Sequence, residues 1–482
     1  MRFPFSPARH GLAAYALVAL TLAGLTLSAC ASLPPAPVAR IAKAPQAYET
    51  AKAFDAPVSP WPTDNWWERY DDPQLNALMV EALAGSPDLA QARARVLKAK
   101  AAQADASAAL LPNITGSGQA QEEKYSFKNI FPPAFLPPGY QDYGQTTLNL
   151  NWELDFWGKN RAAIAAAVSR SRAAAADLAE SRLILTTDVA SAYATLAQLY
   201  ADRDVAAQSV KVREETAGLV AQRVTNGLDT QGELKQAQAG APATQADVAA
   251  LDEQIALTRN QLAALLGEGP DRGLKIVRPK LPAVAAFGLP AELPAHLIGR
   301  RPDIVAARWR AQAAVKDVTE AKARFYPDID ITGYVGQQSL HLSELFAPGA
   351  DFGAIGPAIT LPIFDGGHLR ANLRGAQADR EAAVSAYDGA VTEAFRQVAD
   401  AAASEHALAG RLKDSRLALE RYEQAYNIAR LRYEGGLSTY QSVLLVENSV
   451  LAERRIVTDL QSRALVLDIR LVRALGGGFS QS

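Results

Sequence analysis

The sequence contains very few of the residues that build disulfide frameworks and metal centres. Its 482 residues include one cysteine, five histidines and two methionines. One cysteine cannot close a disulfide within the chain, and five scattered imidazoles leave little material for metal sites. The sequence therefore predicts no metal site and no dissociable cofactor.

The chain also lacks a charge excess of either sign and the short motifs of common enzymes. Its formal net charge is −2 at pH 7, so it has no basic surface of the kind that binds nucleic acid. It has no G-x-S-x-G nucleophile motif, no phosphate-binding Walker loop and no H-E-x-x-H zinc motif. We therefore predict a protein that is not an enzyme and does not bind nucleic acid.

The N-terminus carries the pattern of a bacterial lipoprotein signal. Arg2 and Arg9 precede a short apolar run, which ends in the residues L-S-A-C at Cys30. We predict that residues 1–29 are removed and that Cys30 becomes the first residue and carries a covalent lipid. An uncleaved membrane anchor is the alternative interpretation.

The residues after the cysteine indicate where the protein goes. Ala31 stands where an aspartate would favour retention in the inner membrane, so the pattern indicates the outer membrane and contact with its lipid. Residues 30–60 are rich in proline and are predicted to form a tether that spans distance without folding. No later segment is apolar and long enough to predict a transmembrane helix.

The mature chain contains an internal repeat. Pro87 and Pro302 lie 215 residues apart in matching segments, as do Pro112 and Pro327. Further on, Gly227 and Gly436 lie 209 residues apart in the matching turns "RVTNGLDT" and "RYEGGLST". We predict repeat one at 61–266, a linker at 267–300, repeat two at 301–475 and a C-terminal tail at 476–482.

Each repeat is predicted to contain two strands with strict two-residue alternation. In "TTLNLNWELDFWGKN", leucine and aromatic residues alternate with Thr, Asn, Glu and Asp. About ten residues with one apolar and one polar face are typical of a strand that spans an outer membrane. The aromatic residues at the end of this strand indicate the membrane interface: Trp152, Phe156 and Trp157. The predicted strands are about 113–125, 143–156, 328–341 and 351–364.

Counting strands predicts an oligomer. An open sheet in lipid would leave backbone groups unpaired, so a membrane sheet must close into a barrel. Bacterial barrels need about eight strands or more, and this chain supplies about four. A soluble hairpin sheet is the alternative, but the lipoprotein signal and the recurrence of the pattern favour the barrel.

Long alanine-rich helices follow the strands in both repeats. From Asn160 to the turn at Gly227 the chain would reach about 100 Å as one helix, far more than a bilayer. A soluble coiled-coil hairpin would look the same, but helices joined directly to barrel strands are better interpreted as a continuation of the wall into the periplasm. Pro242 is expected to end or kink the second helix of repeat one.

Several motifs together resemble the TolC-like outer membrane factors, in particular the lipidated, resistance-type efflux channels. These motifs are "RRPDI", "FYPDI", "PIFDGG", "GGLSTY" and the closing "ALGGG". The resemblance implies a mixed α and β membrane protein: a homotrimer with a 12-stranded outer-membrane β-barrel, four strands per chain, continued by a long periplasmic α-helical barrel. An equatorial belt would use 61–84, 267–299 and the tail after Leu475.

The resemblance also implies a function and its partners. Such channels pass small molecules, such as drugs or other toxic compounds, from an inner-membrane pump and a periplasmic adaptor protein to the cell exterior. Alternatives are a channel for type I protein secretion and a periplasmic helical lipoprotein without a pore. The residues implied to contact the adaptor lie at the two helical turns: Arg223, Gly227, Leu228, Arg432, Gly435, Gly436 and Leu437. Each glycine is a candidate for the left-handed conformation that ends a helix.

The expected gate departs from the family pattern. Where many relatives carry an acidic residue, this chain has Leu445, and Gln441 replaces an apolar gate residue. Asp229 and Glu233 near the first turn are candidates to supply negative charge there. We expect a hydrophobic or amide-lined gate with weaker cation selectivity than an acidic ring would give.

Overall fold

The computed structural model describes residues 38–126, 128, 132–280 and 288–480. The predicted signal peptide and Cys30 lie outside these residues. Apart from short 3-10 turns, the helices in chain order are α1 Pro73–Gly85, α2 Pro87–Ala108, α3 Lys159–Thr225, α4 Gln231–Leu266, α5 Pro270–Leu274, α6 Leu293–Arg300, α7 Pro302–Ala323, α8 His368–Glu434 and α9 Tyr440–Ala474. The strands are β1 Asn113–Glu123, β2 Gln141–Glu153, β3 Asp328–Ser339 and β4 Asp351–Thr360.

The chain forms two compact units. The strand unit comprises described residues within 38–41, 97–172 and 309–385, and the helical unit comprises those within 42–96, 173–308 and 386–480. The elements follow the repeat: each half of the chain supplies two strands, then one long helix, a glycine turn and a second helix.

The strand unit contains one antiparallel sheet with the order β1-β2-β3-β4. Leu148 of β2 is opposite Val335 of β3, Leu150 is opposite Ile114 of β1, and Gly333 of β3 is opposite Ile355 of β4. Because side chains alternate along a strand, this register places most of the apolar residues of the four strands on one face, while Phe352 lies on the other. β1 and β4 are the edge strands of the sheet.

The two faces of the sheet differ as the alternation predicts. On the apolar face Ile355 is 75% exposed and Ile114 is 67% exposed. On the polar face the hydroxyls of Ser117 and Thr147 lie 2.7 Å apart in a cross-strand hydrogen bond. Exposed isoleucine and leucine side chains that cover one face of a sheet are unfavourable in water, so this face is expected to contact an apolar environment.

The predicted strands are present but end earlier than expected. β2 ends at Glu153 rather than near Phe156, and β4 ends at Thr360 rather than near Phe364. After β4, Pro362 cannot donate a ladder hydrogen bond. After β2, the carboxylate of Asp155 accepts from the backbone N–H groups of Asn160 and Arg161 and starts α3.

The helical unit has its first core around α1. Trp66, Trp67 and Tyr70 lie edge to face with ring centroids about 6 Å apart, and they pack with α1, α3 and α4. Asp72 caps α1 by accepting from the N–H groups of Gln74 and Leu75. Its other oxygen accepts from the hydroxyl of Tyr193 at 2.9 Å, which fixes α1 against α3.

A second core of the helical unit surrounds α6 and the C-terminal tail. Leu293 and Leu297 of α6 pack against α8 and the end of α9. Gly476, Gly477 and Gly478 all have positive φ, and a Cβ on Gly476 would lie 1.9 Å from the carbonyl oxygen of Arg300. The segments that the sequence analysis grouped as a belt therefore contribute to the two cores of one unit.

The long helices are continuous, including α4. Pro242 lies inside α4 and does not end it, so that part of the sequence prediction is wrong. Within the described ranges, no helix is both long and apolar enough to cross a membrane. In the same part of the chain, no cluster of three or more His, Cys, Asp or Glu residues is arranged to hold a metal ion.

Candidate functional site

The turns that join α3 to α4 and α8 to α9 have the same backbone geometry. We call residues 223–233 and 432–445 the tip. At the first turn the N–H of Leu228 donates to the carbonyl of Arg223 at 2.9 Å; at the second, the N–H of Leu437 donates to Arg432 at 2.8 Å. These six-residue closures satisfy helix-end carbonyls and need a left-handed residue inside the turn.

Only one glycine in each turn takes that conformation. Gly227 has φ 71° and Gly436 has φ 72°, whereas Gly435 has no positive φ. Gly435 directly follows the last residue of α8, in the place that Asn226 occupies after α3 in repeat one. The expectation that Gly435 adopts the left-handed conformation is wrong. The hydrogen bond that closes the turn places this conformation at Gly436 instead.

Two hydrogen bonds join the two turns, and both involve an ion pair within the first turn. The guanidinium of Arg223 lies 3.0 Å from the carboxylate of Asp229 and donates to the carbonyl of Tyr433 at 2.8 Å. The hydroxyl of Tyr433 donates to Asp229, and the Arg223 guanidinium lies over the Tyr433 ring, 4.4 Å from its centroid. We call Arg223, Asp229 and Tyr433 the tip cluster.

Burial and hydrogen bonding shift the titration of the tip cluster. The hydrogen bond to Asp229 raises the pKa of Arg223. Burial, and then the bond to Asp229, raise the pKa of Tyr433. Tyr433 therefore stays a neutral hydroxyl donor, and Arg223 stays a cation, over the pH range in which proteins are folded.

The tip cluster corrects the expected roles of two residues. Arg223 was expected at the contact surface, but its side chain is only 11% exposed. Asp229 was expected to add free negative charge, but Arg223 neutralises it. Arg432 occupies the equivalent place in repeat two and is exposed, because Ser438 stands where repeat one has Asp229 and has no carboxylate to hold it.

Glu233 is occupied in starting α4. The N–H of Glu233 donates to the hydroxyl oxygen of Thr230, and the Glu233 carboxylate accepts from the N–H of Thr230 at 2.8 Å. This reciprocal capping box satisfies two donors at the helix start. The carboxylate therefore caps α4, and the spacing T-x-x-E is the sequence signature of such a cap.

The two predicted gate residues share an uncovered stripe at the start of α9. Gln441 and Leu445 are four positions apart, so they lie on one helix face, and Leu445 is 70% exposed. Tyr440 and Val443 point the other way, into a small core with Val220, Ala237 and Tyr433. The start of α9 thus has one anchored face and one free face.

A buried carboxylate that was not predicted from the sequence lies just beyond the gate residues. Glu447 of α9 is 2% exposed, accepts from the hydroxyl of Thr216 at 3.2 Å and lies 3.6 Å from the Arg213 guanidinium. Burial raises the pKa of Glu447 and the charge of Arg213 opposes this. Nothing in the local sequence distinguishes this glutamate from the solvent-exposed charged residues of α9.

The aromatic residues at the base of the sheet are anchored through their ring nitrogens. The Trp152 indole donates to the carbonyl of Leu110 at 2.9 Å, and the Trp157 indole donates to Pro327 at 2.8 Å. Trp157 also stacks on Tyr326, with centroids 4.9 Å apart. Phe156 is 60% exposed. Amphipathic rings fixed at one level are typical of a membrane interface.

Comparison with known proteins identifies the family. The family model described as outer membrane efflux protein matches residues 78–268 and 293–477, one match for each repeat. The fusaric acid resistance protein FusA of Burkholderia cepacia is 37% identical over 383 residues, which are 77% of this chain and 71% of FusA. The multidrug resistance outer membrane protein MdtP of Escherichia coli is 33% identical over 445 residues, 90% of each chain.

A solved structure agrees with these matches. The outer membrane protein VceC of Vibrio cholerae has a TM-score of 0.83 and 43% identity, and the match covers 87% of this chain and all of VceC. The comparisons confirm the predicted fold class, a two-repeat channel whose chain contributes four strands to a β-barrel and long hairpins to a helical barrel. The chain belongs to the outer membrane efflux protein family, and it is an outer membrane channel and not an enzyme.

Proposed function

We propose that three copies of this chain form one duct that carries small toxic molecules across the outer membrane. The observation that carries the proposal is the four-stranded sheet, which has two edge strands and an exposed apolar face. In lipid such a sheet must pair its edges. Three copies give twelve strands, which is within the range of bacterial barrels. A lipid on Cys30 would anchor each copy in the same membrane.

The duct is proposed to work with an inner-membrane pump and a periplasmic adaptor. A channel has no energy source of its own, so uphill export requires a pump. The proposed adaptor contact is the exposed surface of the tip, formed by Leu228, which is 61% exposed, Leu437, which is 74% exposed, and Arg432. Gly227 and Gly436 shape this surface, and Arg223 positions it from beneath.

We further propose that Gln441 and Leu445 form the gate. Three copies would place three leucines and three amides around one opening, with no free carboxylate from Asp229 or Glu233. Such a ring would close by excluding water and would select weakly between cations and anions. The names of FusA and MdtP, a resistance protein and a multidrug resistance protein, support small organic molecules as cargo over secreted proteins.

Single-channel conductance in planar bilayers tests the duct and its gate together. Purified wild-type trimers should give small, flickering currents, because the resting tip is closed. Leu445→Ala and Gln441→Ala should raise the open-state current or the open probability, since both shorten side chains at the opening. Leu257→Ala, at an exposed leucine of α4, is the matched control and should behave as wild type.

Two results would count against the proposal at different levels. Equal currents from wild type and both gate variants would place the constriction elsewhere while leaving the duct intact. Intact trimers that conduct in no form would contradict the duct itself and would favour a lipoprotein without a pore.

A further inference from the structure

A buried aspartate lies at the contact between α3 and α9. Asp202 of α3 is 7% exposed. Its Oδ1 atom is buried and has no hydrogen-bond donor among the described residues. Buried carboxylate oxygens are nearly always paired, because an ionised group without partners is expensive to remove from water.

The surroundings of Asp202 contain charges of both signs. It lines a cavity of about 270 Å³ between α3, α4 and α9. From α9 it faces Asp459 and Arg455, and α4 contributes Asp247 to the same cavity. Asp459 is itself held in place, since Gln198, one turn before Asp202, donates to it at 3.0 Å. Further charged and polar groups lining the cavity are Arg213, Ser209, Thr244 and Gln254.

Burial and a like charge both favour the neutral form of this side chain. Burial is the larger cause and the charge of Asp459 the next, while Arg455 opposes them; together they raise the pKa of Asp202 from 3.8 to about 6. A proton on Asp202 would remove the charge repulsion with Asp459 and supply a donor at a site that has acceptors nearby.

We propose that Asp202 is a proton-binding site at the α3–α9 contact, and that a proton bound there holds α9 against α3 and favours the closed channel. The effect on the channel rests on the proposed function, because α9 begins with the proposed gate residues Gln441 and Leu445. The proton site itself does not depend on that function. Glu447 and Arg213, nearer the tip, tie the same two helices by a second contact.

The sign of the pH effect follows from linkage. When α9 separates from α3, water reaches Asp202 and its pKa returns toward 3.8; when they pack, it is about 6. The contact is therefore strongest below pH 3.8 and weakens as the pH rises through about 6. If the pKa returned fully to 3.8, the equilibrium between packed and separated helices would change by a factor of about 160 for each chain; a partial return gives a smaller factor.

Infrared titration of the purified trimer tests the proton site. The protonated-carboxyl band of wild type should include a component that titrates with a midpoint near pH 6. Asp202→Asn should remove that component. Asp459→Asn should shift it to lower pH by removing the like charge, so this variant tests the site even if Asp202→Asn fails to assemble. The proposal would be overturned if Asp202→Asn left the wild-type spectrum unchanged. It would also be overturned if Asp459→Asn left the titration midpoint of this component unchanged.

Conductance tests the consequence for the channel. Between about pH 5 and about pH 8 the wild-type open probability should rise, with a midpoint near 6. Asp202→Asn, which is neutral at every pH, should stay at the low acid level. Asp204→Asn is the matched control, because Asp204 lies on the same helix, is 53% exposed and pairs with Arg278; it should keep the wild-type profile.

The two tests separate the possible failures. Trimers without current at any pH contradict the proposed function, and the infrared result then still decides the proton site. Conducting trimers in which Asp202→Asn follows the wild-type pH profile contradict the coupling between the proton site and the gate.

Discussion

Arg223 and Arg432 show how one neighbouring residue decides what a side chain does. They occupy the same position in the two repeats, and each accepts the closing backbone bond of its turn. Arg223 is held inside the tip by Asp229, whereas repeat two has Ser438 at the position equivalent to Asp229, and Arg432 is exposed. The presence or absence of one carboxylate therefore gives the two arginines different roles. Arg223 positions the tip, and Arg432 is available to a partner.

Replacing Tyr433 with phenylalanine tests how firmly the tip cluster closes the channel. The change removes one hydroxyl that donates to a buried carboxylate and keeps the ring in its core. A hydrogen bond to a charged group contributes about 1.5–3 kcal/mol, and Arg223 would retain part of this. We expect the open probability in planar bilayers to rise roughly fivefold to tenfold at pH 7.

The control for this experiment is Tyr422→Phe, which alters a tyrosine of the same helix that is 40% exposed. Its conductance should match wild type. An unchanged open probability in Tyr433→Phe would mean that the tip cluster stabilises the hairpins without restraining the gate.

Most elements of this fold could be predicted from the sequence because their signals are local. Alternation along Leu148 to Trp152 predicted β2, and the paired glycine turns predicted the hairpins. The strand ends were predicted two or more residues late, because a cap such as Asp155 is visible only once its backbone partners are placed. Pro242 shows the reverse case, in which packing overrides a local preference.

The side-chain partners at the tip could not be predicted, since they come from distant parts of the chain. Asp229 and Tyr433 are separated by 204 residues, and periodicity carries no information about such a pair. Repeat alignment gave the positions of both turns, but it could not show which arginine is buried. Asp202 and Glu447 were missed for the same reason: helical spacing does not distinguish a solvated carboxylate from one enclosed by two other helices.

The neighbouring glycines Gly435 and Gly436 give a direct test of how the second hairpin turns. Gly436→Ala forces a residue with a side chain into φ 72°, which costs about 1 kcal/mol or more. Gly435→Ala sits at the end of α8 without that requirement and should be neutral or slightly stabilising. Thermal unfolding of the purified trimer measures both effects. The melting temperature should be lowest for Gly436→Ala, higher for wild type, and equal to wild type or slightly higher for Gly435→Ala. Equal destabilisation by the two variants would contradict the assigned turn geometry.

The charge and polarity of the whole molecule fit a protein that contacts both lipid and water. Acids and bases nearly balance along the chain, and one face of the sheet carries exposed apolar residues, among them Ile114, Leu148 and Ile355. The other face of the sheet, with Ser117, Thr147 and Thr332, suits contact with water. A closed barrel accommodates both faces at once, because it has lipid on one side of the wall and a channel on the other.

A charge placed on each face in turn decides which face meets lipid. Ile355→Arg puts a guanidinium in the middle of β4 on the apolar face, while Thr332→Arg puts one in the middle of β3 on the polar face. An arginine at the lipid-facing midplane costs about 2–4 kcal/mol, and a trimer would carry three of them, so Ile355→Arg should reduce the amount of assembled, heat-resistant trimer in outer membranes by more than about tenfold. Thr332→Arg should assemble normally and change the ion selectivity of the open channel toward anions, because its charge would line the water-filled interior. If Thr332→Arg blocked assembly and Ile355→Arg did not, the sheet would have to close with its apolar face inward, and the proposed duct would have no polar lining.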